Sequence, residues 1–397
     1  MKMIFQRNYA RAGGLSVAWE KIKAWYAKIP YSLKVAVVIA LVAKFAVFVL
    51  GYASALDSAV ASGSSTQPFG LLMGMFARWD SPHYMYIAQH GYTNQGDEAN
   101  FIVFFPLYPV LVRLITFDFS YVNLSGLIVS NVASIVAVVY LFKLAKLDYS
   151  DSVAKKAVLF LCVFPTAYFM SAVYTESLFL ALVVASLYYA RNARWSLAAF
   201  LGFLASLTRI AGLILLPALI VEYFHQKNWK LKSSDLRLLW LSLPAVGFLI
   251  YLGINFEVTG SFFTFMQVES SHWYQTLQPL SALRTALGWA RGASYPFNVT
   301  IGYAEIVFAV FGYLMIGLAY KMKLRPSYQV YMLLTWMLAV STGFWISIPR
   351  YVLSMFPLFL ALGLLSTKKS VNIAIAVVFC AGLFFFTWLF ASGAWAF

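Results

Sequence analysis

Residues 33–53 read LKVAVVIALVAKFAVFVLGYA, a run in which Lys34 and Lys44 are the only charged residues. A transmembrane helix needs about 20 mainly apolar residues, so this stretch predicts a first membrane span. Since no small-residue cleavage site follows it, we expect a retained span and not a removed signal peptide. We expect the basic, amphipathic residues 1–32 before it to form a cytoplasmic segment.

The composition of the whole chain extends this prediction. Of its 397 residues, 62% are hydrophobic and 11% are charged, whereas soluble domains carry about 25% charged residues. Residues 33–397 are therefore predicted to form one all-α, polytopic membrane domain. The net charge of +15 does not indicate nucleic-acid binding, because lysine and arginine lie in short loops between apolar segments.

The positions of lysine and arginine predict the orientation of the chain. Further apolar runs lie at about 101–117, 122–142, 157–173, 177–190, 196–208, 211–223, 236–256, 301–320, 328–346, 351–366 and 371–395. Between them, 22 of the 29 basic residues fall in six clusters, at 2–34, 143–156, 191–194, 227–237, 321–325 and 368–369. The positive-inside rule places all six clusters on the cytoplasmic side.

This orientation allows one net crossing between the first span and Lys143. We therefore interpret 101–117, which contains two prolines, as an interfacial or re-entrant segment. The result is about eleven transmembrane helices, with the C-terminus outside. Two long polar segments, 54–100 and 257–300, then face outward, and loops of this length are more often functional than idle.

The same orientation brings most of the unusual polar residues to the outer face. These residues are Arg78, Asp80, His83, Glu176, Arg209, Glu257, Glu269, His272, Arg284, Arg291 and Arg350. A random distribution would divide them between the two faces. Ionisable groups near the bilayer are rare and usually functional, so the sequence predicts one site that is open to the extracytoplasmic side.

Within this set, Asp80 is the candidate general base. It lies in the stretch RWDSPHY, residues 78–84, where a carboxylate shielded by aromatic side chains can accept a proton. The alternative is a helix N-cap, because aspartate is favoured there and Ser81-Pro82 suits a helix start.

Two arginines are candidates for binding an anionic group. Arg350 follows Pro349 at an outer turn, and Arg209 interrupts an apolar stretch. A guanidinium binds phosphate through forked hydrogen bonds, so we predict phosphate binding for both. The alternative for Arg209 is structural pairing with Glu176, which could itself be only a capping residue. The chain has no GxGxxG, GxxxxGK[ST] or HExxH motif and no Cys/His cluster, so we predict no metal or cofactor.

Several motifs together resemble the PIG-V family of mannosyltransferases. They are RWDS with HY at 78–84, IA at 87–88, GY at 91–92, FPLYP at 105–109, FPT at 164–166, SAVYTES at 171–177, TR at 208–209, PRY at 349–351 and FPL at 356–358. The resemblance implies a GT-C fold and a polyprenyl-phosphate sugar, such as polyprenyl-phosphate mannose, as co-substrate. Eukaryotic members add the second mannose to the GPI precursor. This shorter chain looks more like a prokaryotic relative, and we expect the plasma membrane for a prokaryotic protein or the endoplasmic reticulum for a eukaryotic one.

We therefore expect transfer of a hexose, mannose in the first instance, to a glycan, glycolipid or protein acceptor, with inversion and with Asp80 as base. Arg350 and Arg209 would hold the donor phosphate. Other substrate-binding residues are expected to be Arg78, Trp79, His83, Tyr84, Tyr108, Tyr174, Glu176, His272 and Tyr351. The alternatives are a transporter or flippase of lipid-linked saccharides, which often shows a repeat of hydropathy halves that is not seen here, and an O-antigen-type ligase.

Overall fold

The computed structural model describes residues 27–64, 67–230 and 237–397, together with residues 20, 23 and 24. The predicted amphipathic segment 1–32 lies almost entirely outside the described residues. The described residues form α-helices joined by loops and short 3₁₀ or π turns, and no β-strand occurs among them. The helices are α1 (Tyr31–Ala61), α2 (Pro68–Gly74), α3 (Ser81–His90), α4 (Leu107–Ile115), α5 (Val122–Ala145), α6 (Asp151–Cys162), α7 (Glu176–Arg191), α8 (Trp195–Ser206), α9 (Leu215–Gln226), α10 (Arg237–Trp240), α11 (Leu243–Thr259), α12 (Thr264–Ser271), α13 (Pro279–Gly292), α14 (Ala304–Lys321), α15 (Pro326–Val340), α16 (Ile348–Ser354), α17 (Pro357–Leu365) and α18 (Lys369–Ser392).

The all-α class is confirmed, but the count of about eleven transmembrane helices is not. Among the described residues, five stretches of helix are long and apolar enough to cross a membrane: Tyr31–Ala61, Phe119–Ala145, Leu238–Thr259, Asn298–Lys321 and Lys369–Ser392. Two bent pairs of helices raise this number to seven if each pair is one span. The shortfall arises because the apolar runs between 157 and 223 fold into helices α6–α9 of only 12 to 16 residues, shorter than a perpendicular span requires.

The segment predicted to be interfacial or re-entrant is sharply bent. A 3₁₀ helix, Asp97–Val103, is followed by α4 at an angle of 109°. Pro106 precedes α4, and proline lacks the N–H that would continue the earlier helix. The second bent pair consists of α16 and α17, which meet at 74°. The second bend ends a short helix that contains Arg350.

The loops predicted to be cytoplasmic meet at one end of the bundle. Arg191 forms a forked pair with Asp148 and lies 3.7 Å from Glu222. Glu222 is fully buried and accepts two hydrogen bonds of 2.7 Å from Arg325. Lys156 donates to the carbonyl of Ser366. Contacts therefore join the basic clusters at 143–156, 191–194 and 321–325 with one another, and Lys156 links the first of them to the start of α18.

The two long segments predicted to face outward contain helices of their own. The first begins later than predicted, because α1 continues to Ala61, and it contains α2 and α3. The second contains α12 and α13. Helices α1 and α18 pack together, and Ser54 of α1 donates to the carbonyl of Trp388 in α18 at 2.6 Å. This packing brings the end of α18 beside the first outer segment.

The topology can be tested by cysteine labelling. In a variant whose native Cys162 and Cys380 are replaced by alanine, Gln95→Cys should react with an impermeant thiol reagent added outside, and Asn192→Cys should not. Both positions are exposed in the structure, so a difference reports sidedness and not burial. Labelling of Asn192→Cys but not Gln95→Cys in intact cells would reverse the orientation and move the candidate site to the cytoplasm.

Candidate active site

Four charged side chains form a network at the end of the bundle opposite the basic loops. Arg350 donates through Nη1 to Asp80 Oδ2 at 3.0 Å and through Nε to Glu176 Oε1 at 2.8 Å. Arg209 also donates to Glu176 Oε1. The two guanidinium groups and the two carboxylates balance in formal charge, as buried charges generally require. The structure therefore brings together four of the eleven polar residues for which the sequence predicts one site.

Each member of the network lies where a helix begins or within a short helix. Asp80 immediately precedes α3, and Glu176 is the first residue of α7. Arg209 stands before a 3₁₀ turn, and Arg350 lies in the seven-residue α16. The turns that interrupt the helices therefore create the helix ends at which the four side chains converge.

Asp80 occupies the N-cap position of α3, but its side chain makes no capping hydrogen bond. Its carboxylate pairs with Arg350 and retains 20% of its side-chain exposure. Asp80 therefore stands at the N-cap position, as the alternative interpretation predicts, but its side chain does not cap the helix. The carboxylate makes no hydrogen bond to the N-terminus of α3, and it lines a cavity.

The turn that carries Asp80 is held in a strained conformation. Trp79 has a φ of 57°, in the left-handed region that a tryptophan seldom adopts. The Tyr174 hydroxyl donates to the carbonyl of Arg78 at 3.0 Å and accepts from the N–H of Asp80 at 3.1 Å. Trp79 also packs edge-on against Trp395, with ring centroids 4.9 Å apart. Strain that is maintained in this way is frequent at functional sites.

A cavity of about 220 Å³ opens beside this turn. Five of the predicted site residues line it: Asp80, Tyr84, Arg209, Arg350 and Tyr351. Much of the remaining wall is apolar or aromatic. The cavity therefore combines two guanidinium groups and a carboxylate with surfaces that exclude water.

Tyr108, Tyr174 and Glu176 were predicted to contact substrate, and the structure places them behind the cavity wall. All three are at most 1% exposed. Tyr108 is bonded through its hydroxyl to the carbonyl of Gly126 at 3.0 Å and to Ser130 at 2.8 Å. The prediction that Tyr108 contacts a sugar is wrong, because its hydroxyl is hydrogen-bonded and its ring is buried. Tyr174 and Glu176 instead position Asp80 and the arginines.

His83 and His272 lie beside the cavity and not in its wall. His83 stacks on Phe104 at a centroid distance of 5.0 Å and meets Trp273 edge-on at 5.6 Å. Burial lowers the pKa of His83, since the charged imidazolium loses hydration there. His272 packs against Trp273. Arg78, also predicted to bind substrate, donates to the carbonyl of Ala391 at 3.3 Å and does not line the cavity.

The structure adds cavity residues to which the sequence assigned no role. Glu269, Trp273 and Gln275 come from the second outer segment, and Trp395 from the C-terminal end. The sequence places Glu269 among the outer polar residues because of its charge alone. The two tryptophans could not be recognised as cavity residues, because 18% of the chain is aromatic. Burial, followed by the nearby Asp80 carboxylate, raises the pKa of Glu269 to about 7.

The second outer segment is fixed to the loop between α15 and α16. Gly343 donates from its N–H to the carbonyl of Thr276 at 2.6 Å, and Leu277 and Thr342 form an isolated antiparallel bridge. Gln275 donates through Nε2 to the carbonyl of Phe344 at 3.1 Å. These contacts hold Gln275 and its neighbours in the cavity wall.

The positive charge in this cavity comes from arginine. In residues 27–64, 67–230 and 237–397, no group of three or more His, Cys, Asp or Glu side chains is placed to hold a metal ion.

Arg350 lies over the rings of Tyr174 and Phe169, at 4.7 and 4.9 Å from their centroids. The aromatic faces and the two carboxylates together fix the plane of this guanidinium.

We expect Glu176→Gln to destabilise the protein, because Arg209 would lose its only carboxylate partner among the described residues. Removing one partner from a buried ion pair costs about 3–5 kcal/mol. The measurement is the midpoint of thermal unfolding of the purified protein in detergent. Glu222→Gln, at the other end of the bundle, should lower the midpoint similarly. An unchanged midpoint for Glu176→Gln alone would show that the network does not stabilise the fold.

Comparison with known proteins identifies a family that matches nearly the whole chain. The profile described as "Mannosyltransferase (PIG-V)" matches residues 35–392. The GPI alpha-1,6-mannosyltransferase 2 of Rattus norvegicus is 30% identical over 164 residues, 38% of this chain and 32% of that protein. The protein of the same name from Mus musculus is 29% identical over 170 residues, 40% of this chain and 34% of that protein. The aligned stretch thus spans about a third of each curated relative.

A solved structure with a partly similar helical arrangement is the oligosaccharyltransferase of Archaeoglobus fulgidus in its apo form. It aligns with 94% of this chain and 57% of its own chain, at 13% sequence identity and a TM-score of 0.47. A structure of the same protein with zinc and sulfate aligns at 14% identity and a TM-score of 0.42.

Proposed function

Because the chain belongs to the mannosyltransferase family described as PIG-V, we propose that it transfers a hexose, mannose in the first instance, from a polyprenyl-phosphate donor to an acceptor hydroxyl. The acceptor is a glycan, a glycolipid or a protein. The observation that supports this most is the cavity in which the Asp80 carboxylate lies 3.0 Å from the Arg350 guanidinium. In this proposal Asp80 is the proton acceptor and the neighbouring Arg350 binds the phosphate.

In the proposed reaction, Asp80 takes the proton of the acceptor hydroxyl as that oxygen attacks the anomeric carbon. The bond from this carbon to the phosphate oxygen breaks, and its electron pair leaves with polyprenyl phosphate. Asp80 then releases the proton to solvent. A single displacement inverts the anomeric centre, so a β-linked donor yields an α-linked product.

The arginines can take part in this reaction without leaving their carboxylate partners. A guanidinium has five N–H donors, and Arg350 uses one on Glu176 and one on Asp80. The remaining donors can hold the donor phosphate and stabilise the charge that develops on its leaving oxygen. Arg209, which shares Glu176 and lines the same cavity, is the second phosphate-binding residue in this proposal.

The proposal extends to the architecture and the location of the site. The helical bundle would have the GT-C arrangement, with the cavity on the extracytoplasmic side. The bilayer would be the plasma membrane in a prokaryote or the endoplasmic reticulum membrane in a eukaryote. The aromatic residues Tyr84 and Tyr351 would exclude water from the reacting groups, since both line the cavity. No cofactor besides the lipid-linked donor is proposed.

The test is transfer by the purified protein. It is incubated with labelled polyprenyl-phosphate mannose and a heat-treated membrane extract, which supplies acceptors without other active enzymes. We expect label in a new product that forms only when the native protein is present. A flippase would leave all the label on polyprenyl phosphate, and that result would overturn the proposal.

A further inference from the structure

Glu269 is a carboxyl group in the cavity that the proposed reaction does not use. It lies on α12 and lines the cavity together with Asp80 and Arg350. Within the part of the chain that the structure describes, its side chain makes no hydrogen bond or ion pair. Asp80 and Glu176, in contrast, are both paired with arginine. Glu269 is therefore available to a bound molecule.

Trp273, one turn further along the chain, presents a second unused polar group. Its indole Nε1–H is buried and has no acceptor among the described residues. Its ring lines the cavity and is held against Phe104 and His83, at centroid distances of 5.7 and 5.6 Å. An unpaired buried donor is costly, and in native proteins it usually has a partner that the protein alone does not show.

We propose that Glu269 and Trp273 form a subsite that binds the hexosyl group of the donor. A hydroxyl group of the hexose can donate to the Glu269 carboxyl, while the Trp273 side chain, which also lines the cavity, packs against the sugar. The indole ring also offers an apolar face to the sugar. This inference rests on the proposed function, because it requires a lipid-linked hexose in the cavity.

The charges around this subsite favour a neutral polyhydroxyl group over other ligands. A carboxyl group offers no positive charge to a phosphate, whereas Arg350 and Arg209 in the same cavity do. The hexose is joined directly to the phosphate that Arg350 and Arg209 would hold, so both parts of the donor must lie in the same cavity. The raised pKa of Glu269 agrees with a carboxyl that lies away from the guanidinium groups.

The experiment compares two lipids, polyprenyl-phosphate mannose and polyprenyl phosphate, for binding to the full-length protein in detergent. The ratio of their dissociation constants isolates the contribution of the sugar. We expect Glu269→Ala to reduce the preference for the mannosylated lipid by about tenfold, the upper end of what the loss of one hydrogen bond implies. Trp273→Phe should reduce it by a smaller factor. Neither variant should weaken the binding of polyprenyl phosphate.

Glu257→Ala is the matched control, since Glu257 is an exposed carboxylate on α11 that does not line the cavity. It should leave the ratio unchanged. If Glu269→Ala and Trp273→Phe both retain the wild-type ratio, the subsite is overturned while the proposed function stands. If the wild-type protein binds neither lipid, the proposed function fails together with the subsite. Trp273→Phe still tests the subsite if Glu269→Ala does not fold.

Discussion

Asp80→Asn is expected to lower the rate of hexose transfer by about 10²–10⁴-fold, the usual contribution of a general base, while the donor still binds. Asparagine keeps the volume of the side chain, and its amide oxygen can still accept from Arg350 Nη1, which lies 3.0 Å from Asp80 Oδ2 in the native protein. It cannot accept the acceptor proton. The measurements are the rate at saturating donor and, separately, the dissociation constant of the donor.

This substitution also separates the two interpretations of Asp80. The Asp80 side chain makes no capping hydrogen bond and asparagine keeps an oxygen for Arg350, so a residue with only a structural role would tolerate the change. Asp97→Asn makes the same chemical change at an exposed acid of the first outer segment and should leave the rate unchanged. A folded Asp80→Asn protein with near-normal transfer would leave the RWDSPHY stretch with a structural role only.

Arg350→Lys is expected to lower transfer by about 10²–10³-fold, the size of effect seen when one oriented donor to a developing charge is lost. The guanidinium contacts Glu176 and Asp80 through different nitrogen atoms and has further N–H groups for a phosphate. A lysine ammonium is a point charge and cannot hold that planar arrangement. Donor affinity should fall in the same variant.

Arg325→Lys provides the control for this change. Arg325 also makes a forked contact, with Glu222, but at the opposite end of the bundle. Its loss should lower stability and leave the activity of the folded protein intact. If Arg350→Lys retains full turnover and donor affinity, phosphate binding belongs to Arg209 or to another group.

Charged residues in apolar surroundings were the most informative part of the sequence. The sequence predicts one site for eleven outer polar residues, and the structure brings four of them together, Asp80, Glu176, Arg209 and Arg350. Charges near a bilayer require partners, and few partners exist in so apolar a chain. The pairing of Arg209 with Glu176, raised from the sequence as an alternative to phosphate binding, is present in the structure.

Other features could not be predicted because they depend on tertiary packing. Tyr108 looked like a sugar-binding residue in its FPLYP motif, but α4 turns it inward against α5. Trp273 reaches the cavity because its segment is fixed to the loop after α15. The predicted number of spans is not confirmed, because hydropathy reports apolar runs and not the bends between them.

In the proposed reaction the hexose comes from a lipid phosphate. One dual-label measurement tests this source most directly. The purified protein receives polyprenyl-phosphate [³H]mannose, a nucleoside-diphosphate [¹⁴C]mannose and a heat-treated membrane extract at once. We predict that only ³H enters the product, in an α linkage, because the cavity offers arginines for one phosphate and no nucleotide-binding motif occurs in the sequence. Incorporation of ¹⁴C without ³H would contradict the proposed donor and the reaction built on it.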